Sequence, residues 1–208
     1  MTVPNPTVFV IDDDPSVLKS LSRLLRSLGF DTETFASAEL FLARNHYDGV
    51  GCIVLDVRMP GLSGMDSQDE LSKADYSMPI IFITGHGNIP MSVQAMKKGA
   101  ADFLTKPFDD KELLQAVKKA IEQDRTAKVE RAQVHASLKL IEQLTPRELE
   151  VLRYVITGML NKQIALKLDI AEKTVKVHRG RIMEKLCVDS VADLVRLAEK
   201  AGIEPARE

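Results

Sequence analysis

Four groups of residues in this 208-residue chain have the types and order of a phosphoryl-handling site. Asp12, Asp13 and Asp14 follow an apolar run at 8–11, Asp56 follows one at 53–55, Thr84 follows 80–83, and Lys106 follows 103–105. Carboxylates gathered closely repel one another unless a cation sits among them. Oxygen ligands with coordination positions left open favour Mg2+, which keeps its waters and then takes phosphate oxygens. A carboxylate can also be the nucleophile of a phosphoryl transfer, giving an acyl phosphate. Metal and lysine would neutralise charge on the moving group, and a threonine hydroxyl would steady one of its oxygens. Gly85 would leave room beside Thr84. Any one of these residues alone reads as a solvated loop acid, a turn former or a loop lysine. Their order after four successive apolar runs is what suggests a site.

Periodicity predicts the secondary structure around these residues. Apolar runs alternate with amphipathic stretches, the pattern of βα units and a parallel sheet. Strands are expected at 7–11, 32–35, 52–55, 80–84 and 102–105, with helices at 16–28, 38–44, 65–74, 89–98 and 110–121. Near-continuous runs such as Val8, Val10 and Ile11 suit strands covered on both faces. The expected class is α/β: a doubly wound, five-stranded parallel sheet, in which ligands bind beyond the carboxyl ends of the strands. Pro15 suits a helical first turn, Gly29 and Gly99 suit helix stops, and Asp14 by position caps the first helix.

No Gly or Pro lies between Pro107 and Pro146, so 110–144 is uninterrupted enough to be one helix, roughly 50 Å long at 1.5 Å per residue. Leu113, Val117, Ala120 and Ile121 form a stripe for the sheet, whereas charges dominate 122–136 and predict a solvated helical linker. Leu138, Ile141 and Leu144 restore a stripe. The expected organisation is a domain over 1–122, a linker over 123–143 and an all-helical domain over 144–208.

Hydrophobic content of 45% and charged content of 28% are ordinary for a globular protein. The net charge of −2 conceals an asymmetry: 12 Lys/Arg against 17 Asp/Glu over residues 1–122, and 12 against 10 over residues 145–208. No apolar run approaches the roughly 20 residues of a membrane helix. The N-terminus has no basic stretch leading an apolar one. Cys52 and Cys187 have no metal-ligand spacing, and a reduced, cytoplasmic setting is expected.

In the last third, Thr145-Pro-Arg-Glu148 is a capping box with Pro at the first helical position. Short and longer helices are expected at 162–168 and 173–186, with helix-turn-helix spacing, and another at 191–201. On a wheel, Val175, Ile182, Met183 and Leu186 share a side that must be core. Lys173, Val177, Gly180 and Arg181 lie opposite, with Lys176 at the edge. An outward Val among basic residues suits apolar contact with a thymine methyl. Without that contact, Lys176, Arg179, Arg181 and Lys185 would merely solubilise a helical bundle.

The segments VFVIDDD, IVLDVRMPGLSG, IFITGHG and DFLTKPF resemble response-regulator receiver domains over residues 7–122. LTPRELEVL, GMLNKQIALKL, EKTVKVHRGRIMEKL and VADLVRLA resemble the LuxR-type helix-turn-helix over residues 144–201. The whole chain is similar to the FixJ branch of the FixJ/NarL response regulators. That resemblance implies a flavodoxin-like receiver whose Asp56 accepts a phosphoryl group from a sensor histidine kinase. It implies Mg2+ held by Asp12, Asp13, Asp56 and the main-chain carbonyl of Arg58, contacts from Thr84 and Lys106 to the phosphoryl group, and Phe103 as the aromatic that reports phosphorylation by rotating. Lys176 and Val177 match base-edge readers; Lys162, Thr174, His178 and Arg179 match phosphate contacts on a double-stranded DNA operator. The Lys106–Pro107 bond is often cis in the family. The helix at 89–98 and the strand at 102–105 match the family's dimer face, so a homodimer is expected on phosphorylation, with RNA polymerase a further candidate partner.

The chain departs from the family's pattern at Gly180, where relatives carry a second basic reader, and at Ser67, where they carry an apolar residue. His178 alone reads as an ordinary exposed histidine, and His46, His86 and His135 have no evident chemical neighbours. An enzyme of the aspartate-nucleophile phosphatase type is the main rival class. Its pattern puts D-x-D after the first strand and adds a cap, whereas here one Asp follows the third strand and no cap-sized insertion exists. A receiver with a protein-binding tail is the other rival. The expectation is a transcription regulator and not an enzyme.

Overall fold

The computed structural model describes residues 5–44, 47–60, 67–68, 70–71, 77–85 and 89–206. Two compact units divide the chain, Met1–Lys128 and Val129–Glu208. Most of the expected helix at 65–74, together with His46 and His86, lies outside the described residues. Of that helix, Ser67, Gln68 and Leu71 are buried, so a serine does occupy an interior position.

Unit one holds strands β1 (Thr7–Ile11), β2 (Asp31–Phe35), β3 (Gly51–Asp56), β4 (Ile80–Thr84) and β5 (Asp102–Thr105). They pair in parallel in the order β2-β1-β3-β4-β5. Helices α1 (Pro15–Ser27), α2 (Ala38–Leu42), α3 (Ile89–Lys97) and α4 (Asp110–Ile141) connect or follow them. The two-residue period of a strand divides the core. Val8, Val10, Val54, Ile81 and Ile83 meet Leu21 and Leu25 of α1 and Leu113, Val117 and Ile121 of α4. Phe9, Ile11, Ile53, Leu55 and Phe82 meet Phe41 of α2 and Ala95 of α3. Each large apolar side chain so buried contributes roughly 1.5–3 kcal/mol. This is the flavodoxin-like doubly wound sheet.

Local chemistry sets the ends. Asp14 accepts the Ser16 N–H at 2.7 Å, and Pro15 fills the first turn of α1. Gly29 and Gly99 take positive φ of 89° and 90° where α1 and α3 stop, a conformation that favours glycine. The stretch 110–144 does form one long helix as far as Ile141. The solvated character expected of 122–136 fails at Asp124, which is fully buried within unit one.

Unit two contains α5 (Pro146–Val155), α6 (Asn161–Leu168), α7 (Glu172–Lys185) and α8 (Val191–Lys200). Both arms of the capping box form: Thr145 Oγ1 accepts Glu148 N–H at 3.3 Å, and Glu148 Oε2 accepts Thr145 N–H at 2.9 Å. Such a cap is worth about 1 kcal/mol. Asp169, left-handed at φ 49°, turns the chain between α6 and α7. Val151, Leu152, Ile164, Val175, Ile182, Leu186 and Leu194 form the core with Ile141 from the end of α4. Among the described residues no helix is long and apolar enough to cross a membrane.

Candidate functional site

Strand order in unit one reverses at β1: β2 lies on one side and β3 on the other. The carboxyl ends of β1 and β3 therefore border the crevice where open α/β sheets place ligands. Asp12 leaves β1 there and Asp56 ends β3, with only 1% and 5% of each exposed. Thr84, fully buried, ends β4, and its carbonyl accepts the Lys106 N–H at 2.7 Å just beyond β5. The Lys106 side chain reaches back over the rim. Its Nζ lies 2.7 Å from Asp12 Oδ2 and 2.7 Å from Asp56 Oδ1. The remaining oxygens are held by the main chain: Asp12 Oδ1 accepts Asp14 N–H at 2.9 Å, and Asp56 Oδ2 accepts Arg58 N–H at 2.7 Å. The Lys106–Pro107 bond is cis.

One ammonium between two buried carboxylates leaves a negative excess. Burial holds the Asp12 carboxyl above the ordinary carboxylate range despite the hydrogen bond from Lys106. Burial also pulls the Lys106 ammonium down, but hydrogen bonds and attraction to Asp12 and Asp56 outweigh it and leave its pKa raised. A cation would relieve that excess, and the two carboxylates brought together, Asp12 and Asp56, offer it hard oxygens, whereas Asp13 is exposed. The donor set fits Mg2+, although among the described residues no three acidic, His or Cys side chains already converge on one point.

A Cβ added at Gly85 would meet no described protein atom within 4 Å, so the space beside Thr84 is open. Phe103, half-buried on β5, lies 6.4 Å from Phe82 centroid to centroid.

In unit two, α6 and α7 form the helix-turn-helix. Val175, Ile182 and Leu186 are buried and Lys173, Lys176, Val177, Gly180 and Arg181 are exposed, as the wheel predicts, whereas Met183, expected in the core, is only half-buried. Val177 is 45% exposed beside Lys176. Lys162 at the start of α6 and Thr174 on α7 are exposed too. Two of the candidate DNA contacts are less exposed than their neighbours on the helix. His178 is half-buried, with Nδ1 enclosed and without a hydrogen-bond partner, so it is not an ordinary exposed histidine. Arg179 is also half-buried, because it follows Val175 by four residues and precedes Ile182 by three, both core positions. It lines a hollow of about 590 Å³ with Lys162, Leu160 and Val191.

Lys185 is no solubilising residue. Its Nζ bonds Glu148 Oε2 at 2.6 Å and the Gln143 carbonyl at 3.2 Å. That ammonium beside Glu148, with help from the Thr145 cap, holds the buried carboxyl down at about 2.

Sequence reasoning missed the Glu148–Lys185 pair and the burial of Asp124. Helical phase could have found the second, since Asp124 lies three residues beyond Ile121 on the sheet-facing stripe.

Comparison with known proteins matches residues 8–118 to the response regulator receiver domain and residues 142–198 to the luxR family of bacterial regulatory proteins. The chain is 50% identical over 196 residues to nodulation protein W of Bradyrhizobium diazoefficiens, covering 94% of this chain and 86% of that protein. It is 40% identical to the transcriptional regulatory protein FixJ of the same organism, over 94% and 96% of the two chains. Among solved structures, the response regulator StyR superposes with a TM-score of 0.83 at 49% identity, over 95% of this chain and 100% of that one.

Proposed function

The chain belongs to the two-component response regulators of the FixJ/NarL type, phosphorylation-controlled transcription regulators, and on that premise we propose that Asp56 is its phosphoacceptor and α7 its DNA-reading helix. The observation that carries the reading is the Lys106 ammonium standing 2.7 Å from both Asp56 and Asp12 at the switch point of the sheet. A carboxylate oxygen of Asp56 attacks the phosphorus of a phosphohistidine on a sensor kinase. The new O–P bond forms as the P–N bond breaks, and the leaving histidine keeps the electron pair. Lys106 neutralises charge on the transferred group, and the Thr84 hydroxyl donates to one of its oxygens. Asp12, Asp13, Asp56 and the Arg58 carbonyl would hold Mg2+, which when bound would supply further charge neutralisation. The reading assigns no turnover of an external substrate.

Unit two then binds double-stranded DNA in the cytoplasm. Lys176 and Val177 read base edges from the outward face of α7, and Lys162, Thr174, His178 and Arg179 hold the phosphates. Phosphorylation raises DNA affinity by forming a homodimer through α3 and β5. Ile89, Val93 and Met96 support this, being 80%, 46% and 45% exposed on α3 with Phe103 on the adjacent strand. RNA polymerase is the expected recipient of the bound regulator.

Intact-mass measurement after incubation with acetyl phosphate and Mg2+ tests the centre of the proposal. One phosphoryl group should add to the wild type and none to Asp56→Asn. Undiminished labelling of the variant would move the acceptor elsewhere.

A further inference from the structure

A helix leaving a sheet lifts into solvent once its apolar stripe ends. In α4 the stripe ends at Ile121, yet the next sheet-facing position, Asp124, is fully buried. Its Oδ2 accepts the Gly51 N–H at 2.9 Å and a proton of Lys128 Nζ at 2.7 Å. The Gly51 donor needs such a partner. It turns the same way as Ile53 N–H, which bonds the Pro79 carbonyl at 2.9 Å, but it precedes the first β3–β4 register pair, Ile53 with Ile80. Gly51 also cannot be exchanged for a larger residue, because a Cβ there would lie 2.5 Å from the Thr7 carbonyl oxygen.

Lys128, one turn past Asp124, adds a second grip. Its Nζ donates to the Gly49 carbonyl as well, and it lies 5.8 Å from the centre of the Tyr47 ring. Tyr47 is itself fixed, its hydroxyl 2.8 Å from Thr7 Oγ1 and 3.2 Å from the Val50 carbonyl, with the Arg44 guanidinium 5.4 Å from the ring centre. The helix is therefore tied to the first residue of β3, whose last residue is Asp56.

We infer that Asp124 and Lys128 are positioning residues that mount α4 on unit one as far as residue 128, and that this fixed exit sets how strongly phosphorylation raises DNA affinity. The inference rests on the reading of Asp56 as the acceptor that controls DNA binding. A dimer gains affinity by effective concentration, which falls as a tether lengthens and loosens. The mount removes residues 122–128 from the tether.

Hydrogen exchange on the full chain, with mass-spectrometric readout, tests the mount in the wild type, Asp124→Asn and Lys128→Met. Arg125→Gln, on the exposed side with Glu122, serves as control. In the wild type, amides at 122–128 should exchange about tenfold or more slower than those at 130–136, and both mount variants should erase the difference. Acetyl phosphate labelling should stay at the wild-type level. The phosphorylation-dependent gain in affinity should fall about three- to tenfold, measured on a duplex selected from random DNA by the wild-type protein. Arg125→Gln should match the wild type throughout. Protection at 122–128 persisting in both variants, or protection lost with the gain intact, overturns the inference. Absence of label from the wild type would instead overturn the Asp56 reading. If either single variant fails to fold, seen as loss of label, the double variant Asp124→Asn, Lys128→Met decides, since it leaves neither member of the pair as a buried charge without its partner.

Discussion

The Lys106 ammonium stands 2.7 Å from Oδ1 of Asp56, so the group that would steady an incoming phosphoryl already neutralises its acceptor. On the proposed reading, phosphorylation is expected to draw this ammonium from the Asp56 carboxylate towards phosphoryl oxygens.

Replacing Lys106 with Met leaves Asp12 and Asp56 facing each other without an ammonium. Breaking a buried charge pair in this way costs about 3–5 kcal/mol. Urea denaturation without Mg2+ should show a loss of that order in unit one, and millimolar Mg2+ should restore more stability to the variant than it adds to the wild type. Equal stabilisation of both would show that lysine and cation do not share the task.

Stability of unit two should depend on pH through Glu148. Its carboxyl is held at about 2 in the folded state against 4.5 when unfolded, so the folded state binds fewer protons. The contribution is fully present above pH 4.5 and is lost as pH falls towards about 2. Hydrogen exchange of amides at 145–201 should report a loss on the order of 2 kcal/mol over that window, allowing for the partial exposure of Lys185. Lys185→Met should flatten the dependence.

On its selected duplex, Val177→Ala should cost about 1–3 kcal/mol and relax preference at one base pair, and Lys176→Ala should do the same at a neighbouring pair. Lys162→Ala and Arg179→Ala should weaken all sequences alike and lower the salt slope by about 1 each. An unchanged preference profile for Val177→Ala would remove the thymine-methyl contact.

Beryllofluoride with Mg2+ should raise the sedimentation coefficient of the wild type at micromolar protein. Val93→Glu, which puts a charge on the exposed face of α3, should accept phosphate normally yet remain monomeric. A DNA-affinity gain without any change in sedimentation would rule out dimerisation as the switch.

Much of the fold was legible from local pattern alone. Strands β4 and β5 appear with the expected ends, and the Thr145 capping box and Asp14 cap form as read, because periodicity and capping involve residues a few positions apart. The rim residues were legible for the same reason: each follows its own strand, and a parallel sheet brings the carboxyl ends of its strands to one edge.

The class of sheet, the acidic rim and the outward face of α7 are encoded in the spacing of neighbouring residues. Which distant partners those residues meet is set by folding. Lys106 reaches two carboxylates 94 and 50 positions away. Asp124 is buried because a strand-start N–H 73 positions earlier lacks a ladder partner. Lys185 serves Glu148 rather than solvent, and Arg179 turns partly inward over the core. A charged side chain looks alike in sequence whether it is solvated or paired. What settles the matter is desolvation and the donor or acceptor that folding happens to bring beside it.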